Sequence, residues 1–377
     1  MPPPLPTEFA VASSVAVTFN DCTIIWGYTL EKTRYIGVLY CHKGGKWMQK
    51  KTCGGVPAPR LGASATLHKG TMYLMSGITM DKEFINDVYA LDLNSWRWKK
   101  LNPRGTPPIG CTHLSTWLHK GKVYSFGGIT AFDPHAGDDY PGAKCNQLFS
   151  YNVSENSWEL PSVSGNIPSP RAGHTTFICG DTAFLFGGMR NDKGQEVALN
   201  DLYSLNMKSR IWTRVHTSPM ATEGLPERVR GHSMTLISPQ TAVLFGGGGQ
   251  FPDSGPRKDC WLLNTAMVLG GEYTTPSELW QRCQHHENVL SARGEKRSFH
   301  SAVLEPVSKR LWILGGLRED FRTFSDSNVV SLSFNSGASL KLLAMESILR
   351  DFDPDHPMLE AREFPRHLKS ELVSRYH

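Results

Sequence analysis

Charge and long apolar runs are both scarce in this chain. Only 20% of its 377 residues are charged and the net charge is +5, too little for a polyelectrolyte tail or a strongly basic nucleic-acid surface. No run of about 18 apolar residues occurs, so no membrane-spanning helix is expected. The eight cysteines (22, 41, 53, 111, 145, 179, 260 and 283) form no Cys-x-x-Cys pair, which disfavours a zinc ribbon or a redox motif. The opening Met1-Pro2-Pro3-Pro4-Leu5-Pro6 lacks the basic and apolar regions of a secretion signal, so reduced thiols and a cytoplasmic or nuclear location are expected, and the Asn152-Val153-Ser154 sequon is read as chance. There is no Gly-x-Ser-x-Gly elbow, no P-loop and no His-Glu-x-x-His helix. The adjacent His285 and His286 lack the further ligands that a metal site needs. The expectation is a protein that is not an enzyme and carries no metal or cofactor.

What the sequence does have is a repeat. Pro170-Arg171-Ala172-Gly173-His174 is followed by an apolar stretch ending Phe186-Gly187-Gly188, then by Asn200-Asp201-Leu202-Tyr203 and Trp212. The same order appears earlier as Pro59-Arg60-Leu61-Gly62, Met75-Ser76-Gly77, Asn86-Asp87-Val88-Tyr89 and Trp98. Strand ends at Trp26-Gly27, Ser76-Gly77, Gly127-Gly128, Gly187-Gly188, Gly246-Gly247 and Gly315-Gly316 count six repeats. Each is preceded by β-formers such as Val123-Tyr124-Ser125-Phe126, the pattern of a buried inner strand.

A period of about 50 residues with these signposts resembles the kelch repeat, in which each repeat is one blade of a β-propeller. The expected fold is all-β, a six-bladed propeller over residues 1–334 with a short helical tail over 335–377. The tyrosines, tryptophans and recurring histidines (His174, His232, His300) read as structural. The first repeat lacks the Arg-x-Gly-His element and the last lacks a tryptophan strand, so the segment around Glu8 to Ala12 is expected to supply an outer strand that closes the ring.

Insertions follow the second strand of several repeats, at 128–146, 188–200, 247–259 and 317–325, all leaving from one propeller face. Arg60, Arg171, Arg228, Arg230 and Arg297 stand in the turns that enter the first strands, and Arg190, Arg318 and Arg322 stand on the insertions. The turn arginines admit two readings. One is a cap on local backbone carbonyls; the other is a convergent cationic pocket for a carboxylate, which the planar guanidinium binds bidentately.

After Phe334 the pattern changes. Leu340, Leu343, Ala344 and Ile348 fall at helical spacing behind a candidate N-cap, Ser339. Ser339-Leu340-x-x-x-Ala344-x-x-x-Ile348 resembles an elongin-binding box, and Phe364-Pro365-x-x-Leu368 resembles the cullin-2 box that follows it. Together with the repeats, these motifs resemble the kelch-repeat substrate receptors of cullin-2 RING ubiquitin ligases. That resemblance implies elongin B/C and cullin-2 as partners. It also implies that C-terminal degrons, chiefly tails ending in glycine, are held by arginines at the propeller mouth. Arg60, Arg171, Arg190, Arg228, Arg230 and Arg297 are the candidates for that role. The chain departs from the family where Met189 and Ala198 replace arginines, and where Arg230-Gly231-His232 replaces Ser-Trp-His. The alternative is a kelch interaction scaffold outside any ligase, with the tail packed as structure.

Overall fold

The computed structural model describes residues 9–31, 34–43, 46–131, 142–215, 225–249, 255–257, 259–271, 276–283, 296–305, 310–317 and 329–333. They form an all-β propeller. Five sheets of four antiparallel strands, two of them with a fifth strand added in parallel, are complete blades, and a sixth sheet has three strands. The first sheet spans Phe9–Gln49, the second Cys53–Leu101, the third Ser115–Glu159, the fourth Ser164–Val215, the fifth Ser233–Arg282 and the sixth Ser301–Ser333. The short helices Thr265–Gly270 and Pro276–Leu279 interrupt the fifth sheet before its outer strand, Trp280–Arg282.

Strand composition follows position. Second strands such as Thr182–Phe186 are apolar and buried on both faces after their first residue, because each lies between two neighbouring blades. Outer strands alternate: Ile211–Val215 buries Trp212 and Val215 and exposes the residues between. Trp26, Trp98, Trp212 and Trp312 are almost wholly buried. Each outer-strand tryptophan reaches toward the preceding blade. Trp98 meets Trp26 at 6.3 Å, Trp212 meets Phe126 at 5.3 Å and Trp280 meets Phe186 at 5.0 Å between ring centroids. Trp158 joins Tyr73 and Met75, and His42 sits between Trp47 of the first sheet and Trp312 of the sixth. Rigid rings of this size bury large area at small entropic cost, which is why the repeat carries one at this place.

The innermost strands touch in cyclic order, and the sixth touches the first. Thr175 Oγ1 meets His232 Nε2 at 2.8 Å, Ser233 Oγ meets His300 Nε2 at 2.8 Å, and Ser301 Oγ donates to the Ser14 carbonyl at 2.5 Å. Ring closure is therefore between inner strands. Phe9 and Ala10 lie opposite Thr29 and Tyr28 in the first sheet, so residues 9–12 extend that sheet's inner strand and do not add an outer strand to the last repeat.

Outer edges are closed by another device. The linker arriving from the preceding blade runs parallel to the outer strand at Cys53–Gly54 beside Trp98, at Arg104 beside Ser157, and at Ser164–Gly165 beside Trp212. A Cβ on Gly165 would stand 2.3 Å from the Trp212 carbonyl oxygen, and the φ of +83° is itself unfavourable for other residues.

The expected tail helices, with Ser339, Leu340, Ala344, Ile348, Phe364, Pro365 and Leu368, lie outside the described residues, as do Arg318, Arg322, His285 and His286. No helix among the described residues is long and apolar enough to cross a membrane.

Candidate functional site

The face from which the insertions leave is organised by the backbone. At the start of each repeat, one residue with positive φ bonds to its counterpart in the next. His113 N–H donates to Gly62 O at 2.8 Å, Gly173 to His113 at 3.0 Å, Gly231 to Gly173 at 2.8 Å and Phe299 to Gly231 at 2.7 Å. The φ values run from +55° to +63°, which suits Gly62, Gly173 and Gly231. His113 and Phe299 accept the strain, and their rings meet edge-on at 5.3 Å. A Cβ on Gly62 would lie 2.8 Å from the His113 ring, and one on Gly231 would lie 3.0 Å from Phe299, so glycine at those places makes room for the two rings. Behind this crown is a cavity of about 120 Å³, lined also by His174, His232 and His300. Burial holds these imidazoles in the neutral form: it pushes His113 down to about 4 and His232 to about 3, and His174 and His300 fall as well. Arg230 beside His113 adds to its shift, and Glu196 opposes it.

This frame fixes the register of the turn arginines. The carbonyls of Cys111, Arg171, Val229 and Arg297 each accept from the second of a glycine pair, or from Gly77, so these four residues are equivalent. Arg60, Arg171 and Arg297 are no more than 2% exposed. Arg171 donates all five of its N–H groups: to Asp201 Oδ1 and Oδ2 at 2.6 and 3.0 Å, to Gly187 O at 3.0 Å, and to Ser169 O and Oγ at 3.1 Å each. Arg60 repeats this with Asp87 at 2.5 Å, Ser76 O at 3.3 Å and Ala58 O at 3.0 Å. Arg297 donates to Gly315 O at 3.0 Å. The expectation that these three line a ligand pocket is corrected: their donors are turned into their own blades, all three as carbonyl caps and Arg60 and Arg171 also in buried ion pairs. Where the arginine is lost, its aspartate is either replaced or takes another partner. Cys111 stands with Gln147, and opposite Val229 the freed Asp259 takes Arg282 at 2.7 Å and Arg257 at 3.9 Å.

Arg230 is one residue out of that register. Its backbone bridges Gly248, as Ala172 bridges Met189 and Ser298 bridges Leu317, so its side chain is set on the mouth face. The hairpin Met189–Asp192 with Gln195–Ala198 projects there from the fourth blade. Met189 and Ala198, where the resemblance led to expected arginines, face each other at its base and are buried. Arg230 Nη1 approaches Met189 Sδ at 2.9 Å and donates to Glu196 Oε2 at 3.1 Å. Lys144 Nζ, on a side chain only 3% exposed, donates to Glu196 Oε1 at 2.8 Å. One carboxylate thus sits between two largely covered cations, beside His113. Arg190 is further out on the hairpin, paired with Asp192 at 3.1 Å; Arg257 pairs with Glu227, and Arg228 is exposed.

Of the six expected arginines, then, Arg230 stands at the mouth, Arg190 and Arg228 stand on its exposed surround, and three are internal. Sequence reasoning missed Lys144, Glu196 and His113. The only signal was that Lys144 and Glu196 fall within the two insertions that precede Asn146 and Asn200. Among the described residues no group of three or more His, Cys, Asp or Glu is placed to hold a metal ion.

The family model described as the KLHDC2/KLHL20/DRC7 Kelch-repeats domain matches residues 13–247 and 134–294. Kelch domain-containing protein 2 of Bos taurus is 27% identical over 278 residues, covering 68% of this chain and 64% of its own length. Kelch domain-containing protein 1 of Mus musculus is 26% identical over 275 residues, 66% of this chain and 65% of its own. Kelch domain-containing protein 3 of Rattus norvegicus is 30% identical over 240 residues, 61% and 56% respectively. The match to the first two therefore spans just under two thirds of their length. The solved structure of YjhT superposes with a TM-score of 0.62 at 16% identity over 89% of this chain and 97% of that one, which bears on the fold alone. With buried Arg–Asp pairs in two repeats, glycine-ended second strands, tryptophans between the blades and a family model spanning most of the chain, the chain belongs to the Kelch-repeat domain family, related to KLHDC2 and the Kelch domain-containing proteins.

Proposed function

We propose that this protein is a non-enzymatic substrate receptor of a cullin-2 ubiquitin ligase, binding the C-terminal tails of its targets at the crown face of the propeller. In this reading the three-stranded sheet is the sixth blade, residues 1–334 form the reader, and residues 335–377 recruit elongin B/C through Leu340, Ala344 and Ile348 and cullin-2 through Pro365 and Leu368. The relationship to Kelch domain-containing proteins 1 and 2 and the order of the tail motifs support recruitment.

The observation that carries the binding half is the set of two covered cations, Arg230 and Lys144, already arranged around a carboxylate. A terminal carboxylate presents the same two oxygens. An amidated or extended tail does not, and leaves buried donors unpaired, so discrimination between them is expected to be large. The test has two arms. Affinity capture from cell extract should recover elongin C with the wild type and lose it with Leu340→Arg; recovery with the variant refutes recruitment. A glycine-ended peptide pool should bind as the free acid and not as the amide, and binding should be lost on Arg230→Ala. Equal binding of acid and amide refutes the pocket.

A further inference from the structure

Glu196 belongs to the protein, yet it occupies the position that a ligand carboxylate would take. We propose that Glu196 is a built-in competitor for the Arg230–Lys144 pair, and that a ligand binds by displacing it. The inference rests on the functional reading above and deepens it, because it names the residue that sets which carboxylates succeed.

Three observations support it. First, each oxygen of Glu196 is taken by a different cation, Oε1 by Lys144 at 2.8 Å and Oε2 by Arg230 at 3.1 Å, so the geometry is that of a bound carboxylate and not of a chance surface contact. Second, burial is unequal. The Lys144 and Arg230 side chains are 3% and 13% exposed, whereas Glu196 is 31% exposed. The cations are fixed in the mouth, and the carboxylate has an open side through which to leave. Third, Glu196 is carried on a two-stranded hairpin whose base, Met189 against Ala198, is buried and whose tip, Asp192 against Gln195, is exposed. A side-chain rotation near that tip releases the carboxylate to water without disturbing the blade.

The consequence is a threshold. A lysine held in so covered a place is costly to leave unpaired, so Glu196 leaves only as another anion arrives. The exchange swaps one carboxylate for another and gains little by itself. A ligand must bring further contacts, from the residues upstream of its terminus, to win. Small free carboxylates are excluded, and peptides with a complementary tail are admitted.

The test uses the full chain and a pool of fluorescein-labelled decapeptides ending in glycine, as free acid and as amide, read by fluorescence anisotropy. Glu196→Gln keeps the shape and one hydrogen-bond acceptor but removes the competing charge. It is expected to tighten binding of the acid pool by about tenfold, the scale of one charged hydrogen bond, and to leave the amide pool unchanged. In the same variant N-acetylglycine should displace the pool at millimolar concentration, whereas with the wild type no displacement is expected at that concentration. If Glu196→Gln melts below the assay temperature, Glu196→Asp, which withdraws the carboxylate by one methylene, should shift affinity in the same direction. Unchanged or weaker acid binding in both variants, with Arg230→Ala still abolishing it, overturns the competitor and leaves the functional reading standing. Binding that ignores amidation and Arg230→Ala in every protein overturns both.

Discussion

Removing Asp201 alone should damage this propeller more than removing Asp201 together with its arginine. In the structure Arg171 is fully buried and Asp201 takes two of its five N–H groups, at 2.6 and 3.0 Å. Asp201→Ala leaves a guanidinium in the blade with two unanswered donors and no countercharge. Breaking a buried pair in this way costs about 3–5 kcal/mol, and the 15% exposure of the aspartate places the expectation near the lower end, about 3 kcal/mol. Arg171→Met with Asp201→Ala removes the charge as well as its partner and exchanges the pair for an apolar side chain of similar length. Only the Ser169 and Gly187 acceptors then lose a donor, so the double variant should be less destabilised than the single. A double-mutant cycle should return a coupling of about 2 kcal/mol. Urea unfolding followed by tryptophan fluorescence reads all three proteins, since Trp212 lies in the same blade. A loss below about 1 kcal/mol for Asp201→Ala, or a coupling near zero, would show that the pair is hydrated in solution and would refute its role as an internal pin.

Other expectations are equally direct. His232 is held near 3, against about 6.5 for a free imidazole, so protons favour the unfolded chain; stability is full above pH 6.5 and falls as pH drops toward 3. At pH 5 this single group should cost about 2 kcal/mol, and His232→Gln should lessen the fall of the urea midpoint between pH 7.5 and 5, the remainder coming from His113, His174 and His300. Gly165→Ala should cost well over about 1 kcal/mol, because its Cβ meets the Trp212 carbonyl; Gly180→Ala, with φ +59° but nothing within 4 Å, should cost only about 1 kcal/mol in thermal unfolding. Trp212→Ala should lose about 3–5 kcal/mol by emptying the contact with Phe126, read by the same urea titration.

Much of the frame was legible because it repeats. The Gly-Gly strand ends, the tryptophans and the blade-to-blade histidines each serve one local geometry, so one instance interprets the next. The site was less legible for the same reason. Arg228-Val229-Arg230 looks like another copy of the turn arginine, but Val229 holds the equivalent backbone position and Arg230 is shifted by one residue onto the mouth. In a chain whose side chains alternate in direction, one residue decides between a pin turned into its own blade and a cation set at the mouth. Glu196 and Lys144 lie in different insertions and at different places in the repeat, four residues before Asn200 and two before Asn146, so neither is a copy of the other. The misplacement of the segment at 9–12 has another cause. A degenerate last repeat suggested a missing strand, whereas those residues continue pairing with their own hairpin partner through an irregularity between Ala10 and Val15.

The straps at Cys53–Gly54, Arg104 and Ser164–Gly165 bear on how this molecule can change. Each of these three connections doubles as the selvedge of the blade it enters, pressed against a tryptophan carbonyl by a glycine that tolerates nothing larger. Such a connection can be neither lengthened nor rerouted without unravelling the sheet edge it finishes. Among the described residues, chain length is added where no such strap depends on it, in the loops after the second strands and in the helical segment before the outer strand of the fifth sheet. The stitching of the rim thus directs growth away from itself, and the hairpin of Met189–Asp192 with Gln195–Ala198 is one product of that freedom.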